Sequence, residues 1–387
     1  MLAQLVLAQL GLVLAVVLAL PYFLYFIYIR RYARQTPLKT CAFHIARVTI
    51  VICTLNAAEH IEKKLYEILH QKYPLEDLEV IVVDGGSTDG TVEILRQTRD
   101  ELRPLLSVTV IEDGALKGKA SQINQGIRVS KGEIVVTTDA DAGIDEAAIQ
   151  ALVASLSVSG VGAVCARQLL TNPHQNLVTE TEATYRGFYE MFRIGESNLH
   201  STPIFHGGLS GYRREAVSSI AEDVNADDTQ LALAAIRRGF RAVYEPRVVF
   251  YTNSPTGLSD SMHQRIRRGQ GLQRIFWRNR DMIPRRKFGA LSFPILLMEL
   301  YIHLISPLLF GVSAVCLAGA LVLALSPFLV IALPVGLGLA VFLYWGRRSF
   351  PIRFLASFAL YQLALLCAIA LHLLGYNYKH WSRKTSN

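Results

Sequence analysis

Charge is absent where a soluble enzyme would display it. Residues 2–29 contain no Asp, Glu, Lys, Arg or His, and charged residues are only 18% of the 387-residue chain against 51% hydrophobic ones. With a mean hydropathy of +0.31, that balance excludes an ordinary soluble enzyme. Cysteine is scarce: Cys41, Cys53, Cys165, Cys316 and Cys367 are scattered, odd in number and without paired spacing. They exclude a disulfide framework and a thiolate zinc site and fit a reducing compartment. The chain also lacks internal repeats and low-complexity tracts, which excludes a repeat architecture. What charge there is runs positive, +8 net with a pI near 9.2. The basic residues crowd beside apolar runs: Arg30, Arg31, Arg34 and Lys39 after the first, then Arg278, Arg280, Arg285, Arg286 and Lys287 before the next. That placement favours membrane lipids over nucleic acid as a partner.

Residues 2–29 are long enough to span a bilayer as a helix. No basic residue precedes the run and no small-residue cleavage site follows it, unlike a signal peptide. The arginines directly after it put the next domain in the cytosol. Beyond Phe288 the chain is apolar again. Residues 294–325 are too long for one plain span, and Pro307 reads as a break between an interfacial or tilted helix and a span. Glu299 and His303, at i,i+4 in the first part, read as a functional ionisable pair if the helix lies in the membrane and as its wet face, the favoured reading, if it lies at the interface. Residues 328–345 and 354–374 read as two further spans. Arg347 and Arg348 between them, and Lys379, Arg383 and Lys384 in the tail, all favour the cytosol, which three spans cannot satisfy together.

Between the apolar ends, strands and helices alternate, which predicts an α/β fold with a doubly wound parallel sheet. Val48–Thr54 reads as a first buried strand. Asn56 and Glu59 then have capping-box spacing before a helix through Ile61, Leu65 and Ile68. Val80-Ile81-Val82-Val83 is a second buried strand, ending in Asp84-Gly85-Gly86-Ser87-Thr88-Asp89-Gly90. Open α/β sheets bind ligands at the carboxyl ends of their strands. A carboxylate there suits the hydroxyls and amide hydrogens of a nucleoside better than phosphates, and Thr88 or Asp89 can cap the helix that follows. Lys119, near the start of a helix to about Val129, can meet a phosphate. The strand Ile134–Thr138 ends in Asp139-Ala140-Asp141, two carboxylates able to share one hard divalent cation, Mg²⁺ or Mn²⁺, with diphosphate oxygens.

The second half is less regular. Residues 180–194 form an amphipathic helix whose aromatics, Tyr185, Phe188, Tyr189 and Phe192, read as core rather than as a sugar platform. His206-Gly207-Gly208 opens a glycine-rich stretch where an acceptor can approach the backbone. Asp227 and Asp228 begin a helix stopped by Gly239, and Glu222-Asp223 is a competing acidic pair. Gln264, Arg267 and Arg268 lie on a basic helix reaching about Arg280.

Taken in order, Val51 to Asn56, Asp84 to Thr91, Lys119, Asn124, Asp139-Ala140-Asp141, Gly207 to Arg214 and Asp227-Asp228 resemble the family-2 glycosyltransferases over about residues 46–280. The membrane layout is similar to that of cellulose, hyaluronan and ceramide glucosyl transferases. The resemblance implies a cytosolic, Rossmann-like GT-A domain plus transmembrane α-helices. Its expected organisation is a transmembrane helix at 1–29, a linker at 30–45, the GT-A domain at 46–280, an interfacial or tilted helix at 281–306, transmembrane helices at 307–376 and a tail at 377–387. It further implies that Thr54, Asn56, Asp84, Lys119, Asp139, Gln264, Arg267 and Arg268 contact a nucleotide sugar, usually a UDP-sugar. Asp139 and Asp141 would hold Mg²⁺ or Mn²⁺, and Asp228 would be the catalytic base. His206, Gly207, Gly208 and Asp227 would face the acceptor. Gln264 and Arg267 match the Gln-x-x-Arg-Trp motif of the membrane-bound members, but Arg268 stands where the tryptophan would stack under an acceptor sugar. Asp227 replaces the usual glutamate.

The expected function is an inverting, metal-dependent transfer onto a membrane-associated acceptor, with a lipid favoured by the missing tryptophan. A processive polysaccharide synthase is the alternative enzyme. A non-catalytic scaffold or transporter is the alternative of another class.

Overall fold

The computed structural model describes residues 2–34, 45–116, 118–325 and 350–376. The expected span at 328–345, the Arg347-Arg348 loop and the tail lie outside the described residues. Helix α1 (Leu2–Ala33) continues four residues past the apolar run. Then β1 (Val48–Thr54) and β2 (Leu78–Asp84) flank α2 (Ala58–Leu69), and α3 (Thr91–Leu102) leads to β3 (Ser107–Glu112). Helix α4 (Lys119–Val129) precedes β4 (Ile134–Asp139), and the short β5 (Gly143–Ile144) leads to α5 (Ala148–Leu156). Further on come β6 (Val161–Leu170), α6 (Leu177–Leu199), β7 (Leu209–Arg213), α7 (Asp227–Arg237), β8 (Arg241–Thr252) and α8 (Leu258–Arg278).

The eight strands form one sheet in the order β3-β2-β1-β4-β7-β6-β8-β5. Strands β3, β2, β1 and β4 are parallel, as alternation predicts. The rest is mixed: β7 runs antiparallel to both β4 and β6. Residues 200–208 carry the chain from the amino end of β8, where Thr202 N donates to Ala242 O at 2.9 Å, to the carboxyl end of β4, so β7 enters from that end. Register then does the positioning. Thr54 lies opposite Asp84, Cys53 opposite Asp139, and Thr138 opposite Leu209. The motif residues from four separate strands therefore meet along one edge.

Burying both faces of the sheet explains why β1 and β2 are apolar runs rather than alternating ones. Ile50, Ile52, Val80 and Val82 pack against α2, α3 and α5 through Ile61, Leu65, Leu95 and Leu152. On the other face, Ile123, Leu231, Ile236 and Phe276 join Cys165 and Tyr212. Helix α4 rides close to β1 because Gly126 has no side chain; a Cβ there would stand 2.3 Å from Val51 Cγ1.

The caps differ from expectation. Helix α2 takes Ala57 as its first cap, with no side-chain bond. Asn56 instead has φ 54° and accepts from Thr88 N at 2.9 Å, so it stitches two loops and forms no capping box with Glu59. Asp89 holds the start of both neighbouring helices, accepting from Ala58 N and Thr91 N at 3.1 Å each.

Among the described residues three helical stretches are long and apolar enough to cross a membrane: Leu2–Ala33, Arg286–Ala324 and Ile352–Leu373. Within the second, α9 (Leu297–Leu300) passes through a π-helical turn, Tyr301–Ile305, into α10 (Ser306–Leu325). Pro307 does not break it: the π-helical turn directly before it re-routes the backbone hydrogen bonds where proline offers no N–H. The last helix, α11, covers Phe350–Leu373. Glu299 and His303 are not a wet face. They are 4% and 1% exposed, covered by Phe276, whose ring centroid lies 5.1 Å from that of His303, and by Gln273, whose amide donates to His303 O at 3.1 Å. The same amide donates to Leu365 O at 3.0 Å, tying α8 to α11. Helix α1 is tied to α6 by Tyr25, which donates to Glu196 at 2.6 Å.

Candidate active site

The edge described above opens into a cavity of about 670 Å³. That is room for a nucleotide sugar. Its floor is made by strand ends and its roof by α7 and α8.

Asp84 is 1% exposed and spends its carboxylate within the protein. It accepts from Thr54 Oγ1 at 2.9 Å, from Gly86 N at 2.9 Å, and from Ser87 N and Oγ at 2.8 and 2.5 Å. Thr54, Asn56 and Asp84 shape the turn from behind, and the surface they present to the cavity is Leu55, Ala57, Gly85 and Gln122. Gln122 donates to Thr54 O at 2.8 Å, and a Cβ on Gly85 would strike its amide at 2.3 Å.

Asp139 leaves the end of β4 half-exposed and pairs with Lys119 at the start of α4. Burial works against the Lys119 ammonium, but Asp139 and Asp227 outweigh it and raise its pKa, so it stays a cation. Asp141 lines the cavity beside Asp139. Among the described residues no third His, Cys, Asp or Glu completes a metal cluster with them. Two carboxylates with the rest of the shell left to water and ligand oxygens fit a hard cation such as Mg²⁺ or Mn²⁺, and do not fit zinc. Cys53 also lines the cavity, but burial pushes its thiol up to about 12, which removes it as a nucleophile.

Asp227 and Asp228 follow Ala226, which has φ 92°. That conformation is costly for alanine. It aims both acids inward from the first turn of α7. Burial raises Asp227 to about 6, with Asp228 and Asp139 adding to the rise against Lys119. Burial also raises Asp228, whose Oδ1 accepts from Thr229 N at 2.9 Å. Helix α8 abuts the turn: a Cβ on Gly271 would stand 2.3 Å from Asn225 O. Ala226→Gly is expected to raise stability by about 1 kcal/mol while loosening the acids. Thermal unfolding and kcat would then move in opposite directions.

Gln264, Arg267 and Arg268 line the cavity from α8. His206 is buried and bonded to Arg193. Burial and then Arg193 hold its pKa well below the usual histidine value, so the ring is neutral. Gly207 and Gly208 precede β7, and a Cβ on Gly208 would strike Phe250 at 2.1 Å. Of the competing acids only Asp223 is held away, since Glu222 lines the cavity. Asp223 pairs with Arg278 on the exterior, and Glu222 accepts from Asn124 at 3.1 Å.

This arrangement has known counterparts. The model of glycosyl transferase family 2 matches residues 49–221. A mannosyltransferase from Pyrobaculum calidifontis, solved in complex with GDP-Man and Mn²⁺, superposes with a TM-score of 0.79 at 31% identity over 95% of this chain and 99% of that one. The chain belongs to glycosyl transferase family 2. Among curated family members, the poly-beta-1,6-N-acetyl-D-glucosamine synthase of Staphylococcus aureus is 24% identical over 67% of this chain. That of Staphylococcus epidermidis is 22% identical over 71%. The matches span 62% and 66% of those synthases' own lengths.

For a family-2 chain, the unanticipated part of the cavity is its wall on α6. Tyr185, Arg186, Tyr189 and Arg193 line it, joined by Tyr361 of the apolar helix α11. The Tyr185 and Tyr361 rings stack with centroids 4.4 Å apart. Thus the aromatics of α6 divide: Phe188 and Phe192 pack against Phe26 and Tyr25, whereas the two tyrosines face the cavity. Hydroxyl-bearing rings at i,i+4 with arginines one residue after Tyr185 and seven further on were the available signal.

Proposed function

We propose that this chain is a membrane-embedded inverting glycosyltransferase that moves a sugar from a nucleoside-diphosphate sugar to a lipid acceptor. The observation that carries the reading is the convergence around Gly207. A Cβ there would lie 2.9 Å from Lys119 Nζ, 3.6 Å from Asp139 Oδ2 and 4.0 Å from Asp228 Oδ2. Leaving-group machinery and base thus share one point of approach beside this glycine.

In this reading Asp228 takes the proton from an acceptor hydroxyl as its oxygen bonds to the anomeric carbon. The bond from that carbon to the diphosphate breaks on the opposite side. Lys119 and Arg267 meet the charge that develops on the leaving group. Asp139 and Asp141 would hold a divalent cation, Mg²⁺ or Mn²⁺, which when bound supplies counter-charge to the diphosphate. The Mn²⁺ and GDP-Man of the Pyrobaculum relative support both metal and donor class and set guanosine-linked donors beside the uridine-linked ones. The nucleoside end would lie over Gly85 and Gln122, held by the turn that Asp84, Thr54 and Asn56 organise. We take residues 46–280 as the catalytic domain, facing the cytosol.

The staphylococcal relatives are named as synthases of a polymer, which favours processive synthesis as the second reading. Purified protein in lipid bilayers with Mn²⁺ and labelled UDP- and GDP-sugars separates the two. Label in the organic-soluble fraction is the expected result, and label confined to high-mass polymer would overturn the lipid acceptor.

A further inference from the structure

Adjacent arginines on α8 divide the cavity. Arg267 is drawn by Asp139 and Asp227. Arg268 acts on Glu182, Arg186 and His206, and also on Asp228. The wall beyond Arg268 is rich in arginine, with Arg186 and Arg193 also lining the cavity. Glu182 is shared by two arginines, with Oε1 2.7 Å from Arg186 and Oε2 2.9 Å from Arg265. Arg193, only 8% exposed, is bonded to the neutral His206. Glu196, three residues on, is engaged by Tyr25 and by Thr202, which donates at 2.7 Å. The Nε atoms of Arg186, Arg193 and Arg265 are buried without a partner. Arg268 is half-buried and, among the described residues, has no hydrogen bond or ion pair. Glu182 already serves two of these guanidiniums, and Arg268 is left without a bonded partner of its own among the described residues. Buried charge of one sign is expensive unless a partner compensates it. The leaving diphosphate cannot be that partner for them, because Lys119, Arg267 and the Asp139–Asp141 pair serve it at the opposite end.

We propose that the acceptor is a lipid-linked glycan whose phosphate docks against Arg193, Arg186 and Arg268. A phosphate suits the planar fork of arginine and would give Arg268 the partner it lacks among the described residues. A lipid carrier suits the position, since Tyr361 places an apolar helix in the wall of this same end. The acceptor hydroxyl then lies between the phosphate subsite and Asp228. This inference rests on the glycosyltransferase reading above.

The test uses the full chain in bilayers, the donor found in the panel, and three acceptors. They are a polyprenyl-phosphate-linked sugar, the same sugar on polyprenol without phosphate, and the water-soluble glycosyl phosphate. The expected result is an acceptor KM about tenfold or more lower for the lipid phosphate than for either other acceptor, with Arg268→Gln and Arg193→Gln each erasing the advantage over the phosphate-free lipid. Arg268 is half-buried and unpaired, so its variant decides the matter if Arg193→Gln fails to fold. Equal KM values for the two lipids, or an advantage that survives Arg268→Gln, would overturn the phosphate subsite while leaving the glycosyltransferase reading intact. A water-soluble glycosyl phosphate used as well as the lipid-linked one would overturn the lipid carrier. Polymer grown on a phosphate-free glycan would end both readings.

Discussion

Asp228→Asn is expected to lower kcat roughly a thousand-fold while the donor's Kd stays within a few-fold. The amide keeps the shape of the side chain and can still meet Thr229 N, so α7 should keep its first turn. What it loses is the lone pair that receives the acceptor's proton. Stopped assays of transfer, paired with calorimetric titration of donor, separate these effects. Equal loss of binding and turnover would reassign Asp228 to the donor. Retained turnover would remove it from the base role altogether and leave Asp227 as the candidate, since Asp223 is held outside the cavity by Arg278. Of the two half-buried acids, Asp228 is the one whose carboxylate lies near the Gly207 approach, which is why the prediction falls on it.

Asp139→Asn and Asp141→Asn are expected to fail at an earlier stage. Each should weaken metal-dependent donor binding and lower kcat/KM by roughly a hundred- to a thousand-fold, the several kcal/mol that counter-charge on a diphosphate provides. Mn²⁺ binding, followed by electron paramagnetic resonance with and without donor, would check this without relying on turnover. Asp139→Asn should have a second effect. Asp139 is the counter-ion of Lys119, so its neutralisation leaves that ammonium with Asp227 alone and should also lower thermal stability. Unchanged Mn²⁺ affinity in both variants would rule out the carboxylate pair as the metal site.

The catalytic half of the chain was legible because its signals are local. A run such as Val80 to Val83 ending in Asp84 can only be a buried strand with a polar end, and helix α4 begins at Lys119, as expected. The antiparallel insertion of β7 was not legible, since nothing within Leu209–Arg213 states its direction; that follows from where residues 200–208 carry the chain. Asp84 shows a related limit. Its type and position pointed to a ligand, whereas its carboxylate is saturated by Thr54, Gly86 and Ser87. Sequence reveals that an acid stands at a strand end but not which hydrogens reach it first. The burial of Glu299 and His303 was hidden for the same reason, because the cover over them comes from α8, some thirty residues away. Arg186, Arg193 and Tyr361 acquire meaning only when α6 and α11 are brought side by side.

The wall contributed by Tyr361 bears on how the enzyme comes into being. A chain shortened to its catalytic domain would retain the carboxylates but lose one side of the vessel that contains them, along with the carbonyls of α11 that anchor Gln270 and Gln273. Synthesis proceeds from the amino end, so the motif residues up to α8 leave the ribosome before α11 does. Competence for transfer is therefore expected only once α11 has been made and packed, and a chain halted before it would hold a recognisable but open site.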